Sequence, residues 1–235
     1  MSKRIVVTGA SSGIGAEVAI QAAKHGHQLI LVARREELLQ NVADKCRAGG
    51  SPAVAIVVGD VCKDSVVREI ASSLKVLEGE PVLINNAGFA NMEPFLDANW
   101  EEHASQIEVN LTAAIHVSHA VLPQILEHGS GMIVNVLSVA AEHTFPAAAV
   151  YSATKAGLMK FGRCLLGEYR GRGLRVTNIL PGSVDTPLWE NQGWSPPREQ
   201  MLTSAMVARS IVNVIELPKE QVVERIDLAP PLGIL

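Results

Sequence analysis

The segment Thr8-Gly9-Ala10-Ser11-Ser12-Gly13-Ile14-Gly15 decides the fold prediction for this chain. It follows Lys3-Arg4-Ile5-Val6-Val7, a run that is typical of a short buried strand. A helical pattern comes next and places Val18 and Ala22 on its apolar side. A strand, a glycine-rich turn and a helix in this order form the opening of a dinucleotide-binding unit.

The glycines of this segment have separate roles in such a unit. Gly9 permits a tight turn, while Gly13 and Gly15 let backbone and diphosphate approach closely. The helix N-terminus then offers free amides and a positive dipole end to the phosphates. A glycine-rich loop that merely turns the chain is the alternative, but the spacing G-x-x-x-G-x-G between a strand and a helix favours nucleotide binding. The residues predicted to contact the cofactor here are Gly9, Ser11, Ser12, Gly13, Ile14 and Gly15.

The remainder of the chain alternates between strand and helix patterns. Strands are expected near 4–8, 28–33, 53–58, 82–85, 131–137, 174–179 and 223–228. Helices are expected near 14–25, 36–48, 64–77, 102–128 (in one or two pieces), 151–170 and 203–216. Continuous apolar runs such as Val54-Ala55-Ile56-Val57-Val58 suit a parallel sheet that is buried on both faces. The pattern predicts an α/β fold, a doubly wound parallel seven-stranded sheet of the Rossmann type, as a single domain over 1–235.

A second feature is the pair Tyr151 and Lys155, four residues apart. On a helix this spacing stacks the phenol and the ammonium on one face. A free phenol has a pKa of about 10, and a fixed cation nearby lowers it, so the pair is a candidate general acid/base. Taken alone, the pattern also fits a solvated lysine beside a half-buried tyrosine.

These features, with several others, resemble the short-chain dehydrogenase/reductase family, of the type that prefers NADP, over nearly the whole length of the chain. The matching segments are residues 8–15, Asp60-Val61, Asn85-Asn86-Ala87-Gly88, the set Asn110, Ser138, Tyr151 and Lys155, and Pro181-Gly182 with Val184 and Thr186. The resemblance implies that Asp60 and Val61 bracket the adenine ring, and that Asn86, Ala87 and Gly88 line the adenosine side. It also implies that Pro181, Gly182, Val184 and Thr186 contact the nicotinamide.

The resemblance further implies an NADP(H)-dependent oxidoreductase that transfers a hydride between nicotinamide and a carbonyl or secondary alcohol. Ser138 would donate a hydrogen bond to the carbonyl oxygen, and Tyr151 would exchange its proton with that oxygen. Lys155 would lower the pKa of the tyrosine and hold the nicotinamide ribose, while Asn110 would hold a water that connects Lys155 to solvent. Individually, Ser138 could be a strand-end cap and Asn110 a kink in a helix.

Cofactor choice is decided after the second strand, where Ala33-Arg34-Arg35 follows Leu29-Ile30-Leu31-Val32. Enzymes selective for NAD usually place an acid here, whereas arginine can bind a 2′-phosphate. Arg34 and Arg35 therefore predict NADP(H) as the cofactor. Both could instead be the exposed start of a helix, and this alternative fits Arg35 more easily than Arg34. Ser11 and Ser12 leave the turn without the basic residue that some NADP enzymes carry there.

Composition and net charge indicate which classes of binding partner are not expected. A net charge of −4 gives no electrostatic reason to expect nucleic acid or an anionic membrane. Cys46, Cys62 and Cys164 lack metal or disulfide spacing, and the histidines show no ligand pattern, so no metal is expected. A strand begins almost at the N-terminus, and no apolar stretch reaches the ~20 residues of a membrane span. We expect a cytoplasmic protein.

The substrate is the least specified partner. The segment 187–202 matches the one that caps the substrate site in the family and carries Trp189 and Trp194. With Phe89, Met92 and Phe145 these side chains could form an apolar wall, or the tryptophans could pack on the protein body. The substrate is expected to be a small carbonyl or alcohol compound. A nucleotide-binding sensor or regulatory protein with little turnover remains the alternative function.

Two long helical patterns bear on the oligomeric state of the protein. In relatives the helices that match 102–128 and 151–170 pair about a two-fold axis. In the second, Ala153, Gly157, Phe161 and Leu165 recur every four residues, and further apolar residues exceed what one buried face requires. The sequence therefore predicts a homodimer or homotetramer.

Overall fold

A computed structural model describes residues 2–190, 192, 195–231 and 233. Its centre is a parallel sheet of seven strands: β1 (Lys3–Thr8), β2 (Gln28–Ala33), β3 (Val54–Val58), β4 (Glu80–Asn85), β5 (Gly131–Val136), β6 (Leu174–Pro181) and β9 (Arg225–Leu228). Their order across the sheet is β3-β2-β1-β4-β5-β6-β9. A separate two-stranded parallel sheet consists of β7 (Val184–Asp185) and β8 (Leu202–Thr203). The predicted doubly wound seven-stranded fold is confirmed.

Helices cover both faces of the sheet. They are α1 (Gly13–Lys24), α2 (Glu36–Ala48), α3 (Asp64–Lys75), α4 (Trp100–Ile107), α5 (Ala113–His128), α6 (Ala149–Tyr169) and α7 (Ser204–Ile215). Alternate residues of a strand point to opposite faces, so Ile5 and Val7 pack with α1, α2 and α7, whereas Val6 packs with α3 and α5. Two apolar layers result, and they bury the strands on both sides.

The predicted helix over 102–128 is not one regular helix. It consists of α4 and α5 joined by a π-helical turn, Glu108–Thr112, which contains Asn110. A π turn inserts one extra residue into a helix and is frequent at functional sites. The insertion rotates Asn110 into the protein, where the residue is 1% exposed.

The run Trp100–His128 is long and apolar enough to cross a membrane by length and composition alone, with a mean hydropathy of 1.2. Its apolar character has a source within the fold, since Val117, Val121 and Ile125 are fully buried in the layer under α5.

All the strands that carry predicted site residues run in the same direction. The carboxyl ends of β1, β2, β3, β4, β5 and β6 therefore meet at one edge of the sheet, and each is followed by a predicted site segment. In doubly wound sheets ligands bind outside this edge.

Candidate active site

The glycine-rich turn between β1 and α1 is packed too tightly for side chains. A Cβ on Gly9, whose φ is +68°, would lie 2.9 Å from Ala87 Cα, and one on Gly15 would lie 2.5 Å from Gly9 O. Real Cβ atoms essentially never approach other atoms this closely. The glycines therefore let this backbone pack directly against residues 86 and 87, and a turn of this kind can bring its backbone amides close to a phosphate group.

The N-terminus of α1 has backbone amides that no side chain of the described residues caps. Ser12 occupies the N-cap position, but among the described residues its hydroxyl is engaged by Arg35 and not by an amide of the helix. The first turn of α1 contains no acidic residue. The free amides and the positive end of the helix dipole remain available to an anion such as a diphosphate.

Arg35 lies over this turn. Its Nη2 donates to Ser11 Oγ at 3.0 Å and to Ser12 Oγ at 2.7 Å. The sequence suggested that Arg35 fits the exposed start of a helix better than a cofactor site, and that the turn lacks a positive charge. The structure gives Arg35 both positions, because it is the N-cap of α2 and also brings its guanidinium to the turn.

Arg34 and Asp60 lie at the ends of neighbouring strands, β2 and β3. Asp60 Oδ1 accepts from the amide of Cys62 at 3.0 Å. That hydrogen bond, with a smaller contribution from the charge of Arg34, lowers the pKa of Asp60 below its ordinary value. Val61 beside it is buried, with 8% exposed.

The segment after β4 joins the turn to the interior. Asn86 Nδ2 donates to Thr8 O at 2.9 Å and to Gly9 O at 3.3 Å, and the amides of Asn86 and Ala87 donate to Thr8 Oγ1 at 3.0 Å. Asn86 and Ala87 thus hold the turn in place. Thr8 was not singled out from the sequence, although its hydroxyl accepts from these two amides and donates to Ile84 O.

The predicted catalytic residues lie together at the ends of β5 and α6. Ser138 lies close enough to Tyr151 for its side chain to influence the pKa of the phenol, and Lys155 Nζ is 5.7 Å from the centre of the tyrosine ring. Tyr151 is 7% and Lys155 5% exposed. Ser138 also accepts from the amide of Ala140 at 3.1 Å, so it caps a short helical turn as well.

Burial decides the acid–base properties of this group. It raises the pKa of Tyr151 to about 12, against a smaller lowering by the Ser138 side chain. It lowers the pKa of Lys155 to about 8. The sequence predicted a lowered pKa for Tyr151, and that direction is wrong here, because desolvation of the phenolate dominates.

Asn110 uses its side chain to hold a loop. Its Oδ1 accepts from Phe89 N at 2.9 Å and its Nδ2 donates to Phe89 O at 2.8 Å. A further bond at 3.4 Å reaches Thr154 in α6. A Cβ on Gly88 would lie 2.9 Å from Asn110 Oδ1 and 3.5 Å from Lys155 Nζ, so Gly88 leaves room between these groups.

The segment after β6 closes the other side of the edge. Gly182 N donates to Leu228 O at 2.7 Å, following Pro181 at the strand end. Val184 pairs with Leu202, and Thr186 lies 3.3 Å from the position of a Cβ on Gly13. Residues 181–186 therefore pass in front of the glycine-rich turn.

A small apolar cluster adjoins the phenol. Ala90, Ala140 and Tyr151 are buried in it, with Met92, Phe145 and Leu188 packed against them. The sequence pointed to Met92 and Phe145 but not to Leu188, Ala90 or Ala140. Within the described ranges Phe89 and Trp189 are not members of the cluster, and the indole Nε1 of Trp189 donates to Val184 O at 2.9 Å. Trp194 lies outside the described residues.

Across the described part of the chain, no group of three or more His, Cys, Asp or Glu residues is arranged to hold a metal ion. Gln192, which sequence analysis did not single out, bonds across the cleft from the capping segment to Ala90 and Met92.

Comparisons with known proteins agree with this geometry. The family model described as short chain dehydrogenase matches residues 3–195. An uncharacterized oxidoreductase of Staphylococcus saprophyticus is 31% identical over 229 residues, which are 97% of each protein.

Two solved structures share the fold at low identity. An alcohol dehydrogenase from the archaeon Thermococcus sibiricus, complexed with 5-hydroxy-NADP, has a TM-score of 0.89 at 26% identity and covers 98% of this chain and 97% of its own. L-sorbose reductase from Gluconobacter frateurii, complexed with NADPH and L-sorbose, has a TM-score of 0.87 at 26% identity, with coverages of 97% and 95%. With a family model that matches most of its length and a relative of this identity, the chain belongs to the short-chain dehydrogenase family of oxidoreductases.

Proposed function

We propose that the protein transfers a hydride between NADP(H) and a carbonyl or secondary alcohol substrate, with Tyr151 as general acid/base. The observation that carries the proposal is the grouping of Ser138, Tyr151 and Lys155 at the sheet edge that also holds the glycine-rich turn. Buried titratable groups with shifted pKa values in a cleft are typical of catalytic sites.

Ser138, Tyr151 and Lys155 would each have a different role in this reaction. The Ser138 hydroxyl would orient the substrate oxygen by a hydrogen bond. The Tyr151 phenol, whose raised pKa keeps it protonated at neutral pH, would donate its proton to that oxygen in the direction of reduction. The Lys155 ammonium, held by a bond of 3.0 Å to Val136 O, would stabilise the phenolate that remains.

Asn110 has a positioning part in this scheme. Since its side chain is paired with the Phe89 backbone, it fixes the loop that passes over Lys155. Its role in holding a proton-relay water for Lys155 stays a proposal.

The cofactor assignment rests on the turn and on two arginines. The start of α1, whose Ser12 side chain caps no helix amide, would offer backbone amides to a diphosphate, and the guanidinium groups of Arg34 and Arg35 would supply positive charge for a 2′-phosphate. Solved structures similar to this chain are in complex with NADP or NADPH, which supports the same choice.

The test is NADPH oxidation against a panel of aldehydes, ketones, keto sugars and 3-oxoacyl thioesters. We expect turnover with at least one compound, and kcat/KM at least about tenfold lower with NADH. If the protein binds NADPH tightly but neither reduces any carbonyl nor oxidises any alcohol, the result would contradict an enzymatic function and favour a nucleotide sensor.

We also propose a homodimer through the outer faces of α4, α5 and α6. In α6 the exposed Ala153 and the half-buried Gly157, Phe161 and Leu165 form one stripe. A Cβ on Gly157 would lie 3.2 Å from Leu111 Cδ2, so this glycine brings α6 close to the π turn. Light scattering at micromolar concentration should give the mass of two chains, and a fully active monomer would contradict the proposal.

A further inference from the structure

The Gln192 side chain attaches the capping segment to the loop that contains Ala90 and Met92. Gln192 Nε2 donates to Ala90 O at 2.7 Å, and Gln192 Oε1 accepts from Met92 N at 3.1 Å. The partners are separated by 102 and 100 positions in the chain. A third bond, from Nε2 to Leu188 O at 3.3 Å, ties the same amide to its own segment.

Only a primary amide of this length satisfies both partners. The bonds alternate between a carbonyl and an amide of the loop, as the bonds of a neighbouring strand would. A glutamate could accept from Met92 but could not donate to Ala90, and an asparagine is one methylene shorter. Because both partners are backbone groups, the contact does not depend on the side chains at positions 90 and 92.

The bonded loop forms one wall of the apolar cluster at the phenol. Ala90 is 6% exposed and contacts the cluster that contains Tyr151, while Leu188 contributes from the capping segment. The bonds of Gln192 thus join two sides of an apolar cluster whose described members, Ala90, Met92, Ala140, Phe145, Tyr151 and Leu188, are all uncharged.

We propose that Gln192 is a positioning residue that clasps the capping segment to the Ala90–Met92 loop and so sets the size of the substrate pocket. The inference rests on the proposed function. Joined walls of small and apolar side chains select compact, uncharged aldehydes or ketones and disfavour carboxylates and bulky aryl ketones, because a charged group would lose its hydration without a partner.

The experiment uses the full-length protein with Gln192→Met, which keeps the length of the side chain and removes both bonds. Gln221→Met is the matched control, since Gln221 is exposed and lies near the C-terminus of the chain. Two properties are measured: hydrogen–deuterium exchange of the Met92 amide, and KM and kcat for a compact aliphatic ketone and a bulky aryl ketone.

In Gln192→Met we expect Met92 exchange to become at least about tenfold faster, as for loss of a protecting hydrogen bond. KM for the compact ketone should rise about tenfold with kcat within about threefold, and the preference over the aryl ketone should fall. NADPH affinity and exchange in α5 should match those of Gln221→Met.

The two failures are distinguishable because exchange needs no turnover. Unchanged Met92 exchange, or unchanged KM and preference despite faster exchange, would overturn the clasp. Wild-type protein that turns over no carbonyl would overturn the proposed function itself.

Discussion

The two edges of the central sheet bury charge in opposite ways. At the amino edge, where the strands begin, Glu80 accepts from Lys3 at 2.8 Å and from Arg175 at 3.0 Å. At the carboxyl edge, where the strands end, Lys155 donates to a backbone carbonyl at 3.0 Å, and no carboxylate of the described residues forms an ion pair with it.

The pKa values of Glu80 at one edge and of Lys155 and Tyr151 at the other differ accordingly. Burial by itself raises the pKa of Glu80, but the hydrogen bonds from Lys3 and Ser130 and the charge of Arg175 outweigh it and leave the pKa below its ordinary value. At the other edge burial wins, so the pKa of Lys155 falls to about 8 and that of Tyr151 rises to about 12. We therefore assign the paired charges to the stability of the fold, and the buried groups without an opposite charge to the proposed catalytic site.

The largest effect on stability is expected at the paired edge. Glu80→Gln leaves Lys3 and Arg175 buried without an anion and should lower the free energy of unfolding by about 3 kcal/mol. Urea unfolding at neutral pH measures it, with the exposed Glu220→Gln expected within about 0.5 kcal/mol of wild type. A loss below about 1 kcal/mol would remove the distinction between the edges.

The complementary change is Lys155→Met. It should lower kcat/KM at least about 100-fold, because the cation that stabilises the phenolate is gone. The free energy of unfolding should change by less than about 1 kcal/mol, since removal of an unpaired buried charge offsets the lost bond to Val136 O. A stability loss as large as that of Glu80→Gln would show that Lys155 is structural.

Cofactor selection sharpens the comparison at the carboxyl edge. Arg34→Ala and Arg35→Ala should each weaken NADPH binding about tenfold and leave NADH binding unchanged, because each removes a guanidinium group that we propose to contact the 2′-phosphate. Titration by fluorescence measures both affinities, and the exposed Arg209→Ala is the control. Wild-type protein that uses NADH as well as NADPH would contradict the assignment.

The smallest effect is expected at His27, again at the amino edge. Its Nε2 donates to Glu216 at 2.7 Å, and its Nδ1 accepts from Lys3 N at 3.3 Å, so the neutral ring satisfies both partners. Burial lowers its pKa, and the bond with Glu216 only partly opposes this.

The sign follows from proton binding. Below the unfolded pKa of about 6.5 the unfolded chain binds a proton that the folded chain resists, so stability is full above that pH and falls as pH decreases. His27→Gln should reduce this slope, which is at most about 1.4 kcal/mol per pH unit for one group. The exposed His143→Gln should leave it unchanged, and an unaltered slope in His27→Gln would contradict the argument.

The fold was predictable because its signals are local. The apolar run Val54–Val58 and the glycine spacing at Gly9, Gly13 and Gly15 depend on residues adjacent in sequence, and both are present as expected. Strand ends were less accurate: β4 begins at residue 80 and not 82, and β9 begins at 225 and not 223. These ends depend on pairing with neighbouring strands.

The details of the site depend on contacts between distant residues. The position of Arg35 over the glycine-rich turn and the bonds of Gln192 join segments that are distant in sequence, and the contacts of Asn110 with Phe89 and Thr154 do the same. The pKa of Tyr151 depends on burial, which the spacing of Tyr151 and Lys155 does not reveal. The sequence could predict which residues form the candidate site, but it could not predict how burial changes their pKa values.

The most direct test of the proposed chemistry is Tyr151→Phe, because it removes one oxygen and keeps the ring that packs on Ala90 and Ala140. We predict that kcat for NADPH-dependent carbonyl reduction falls at least about 100-fold, as expected for loss of a general acid. NADPH affinity should stay within about twofold of wild type. Near-normal turnover by this variant would contradict the assignment of Tyr151 as the group that protonates the substrate.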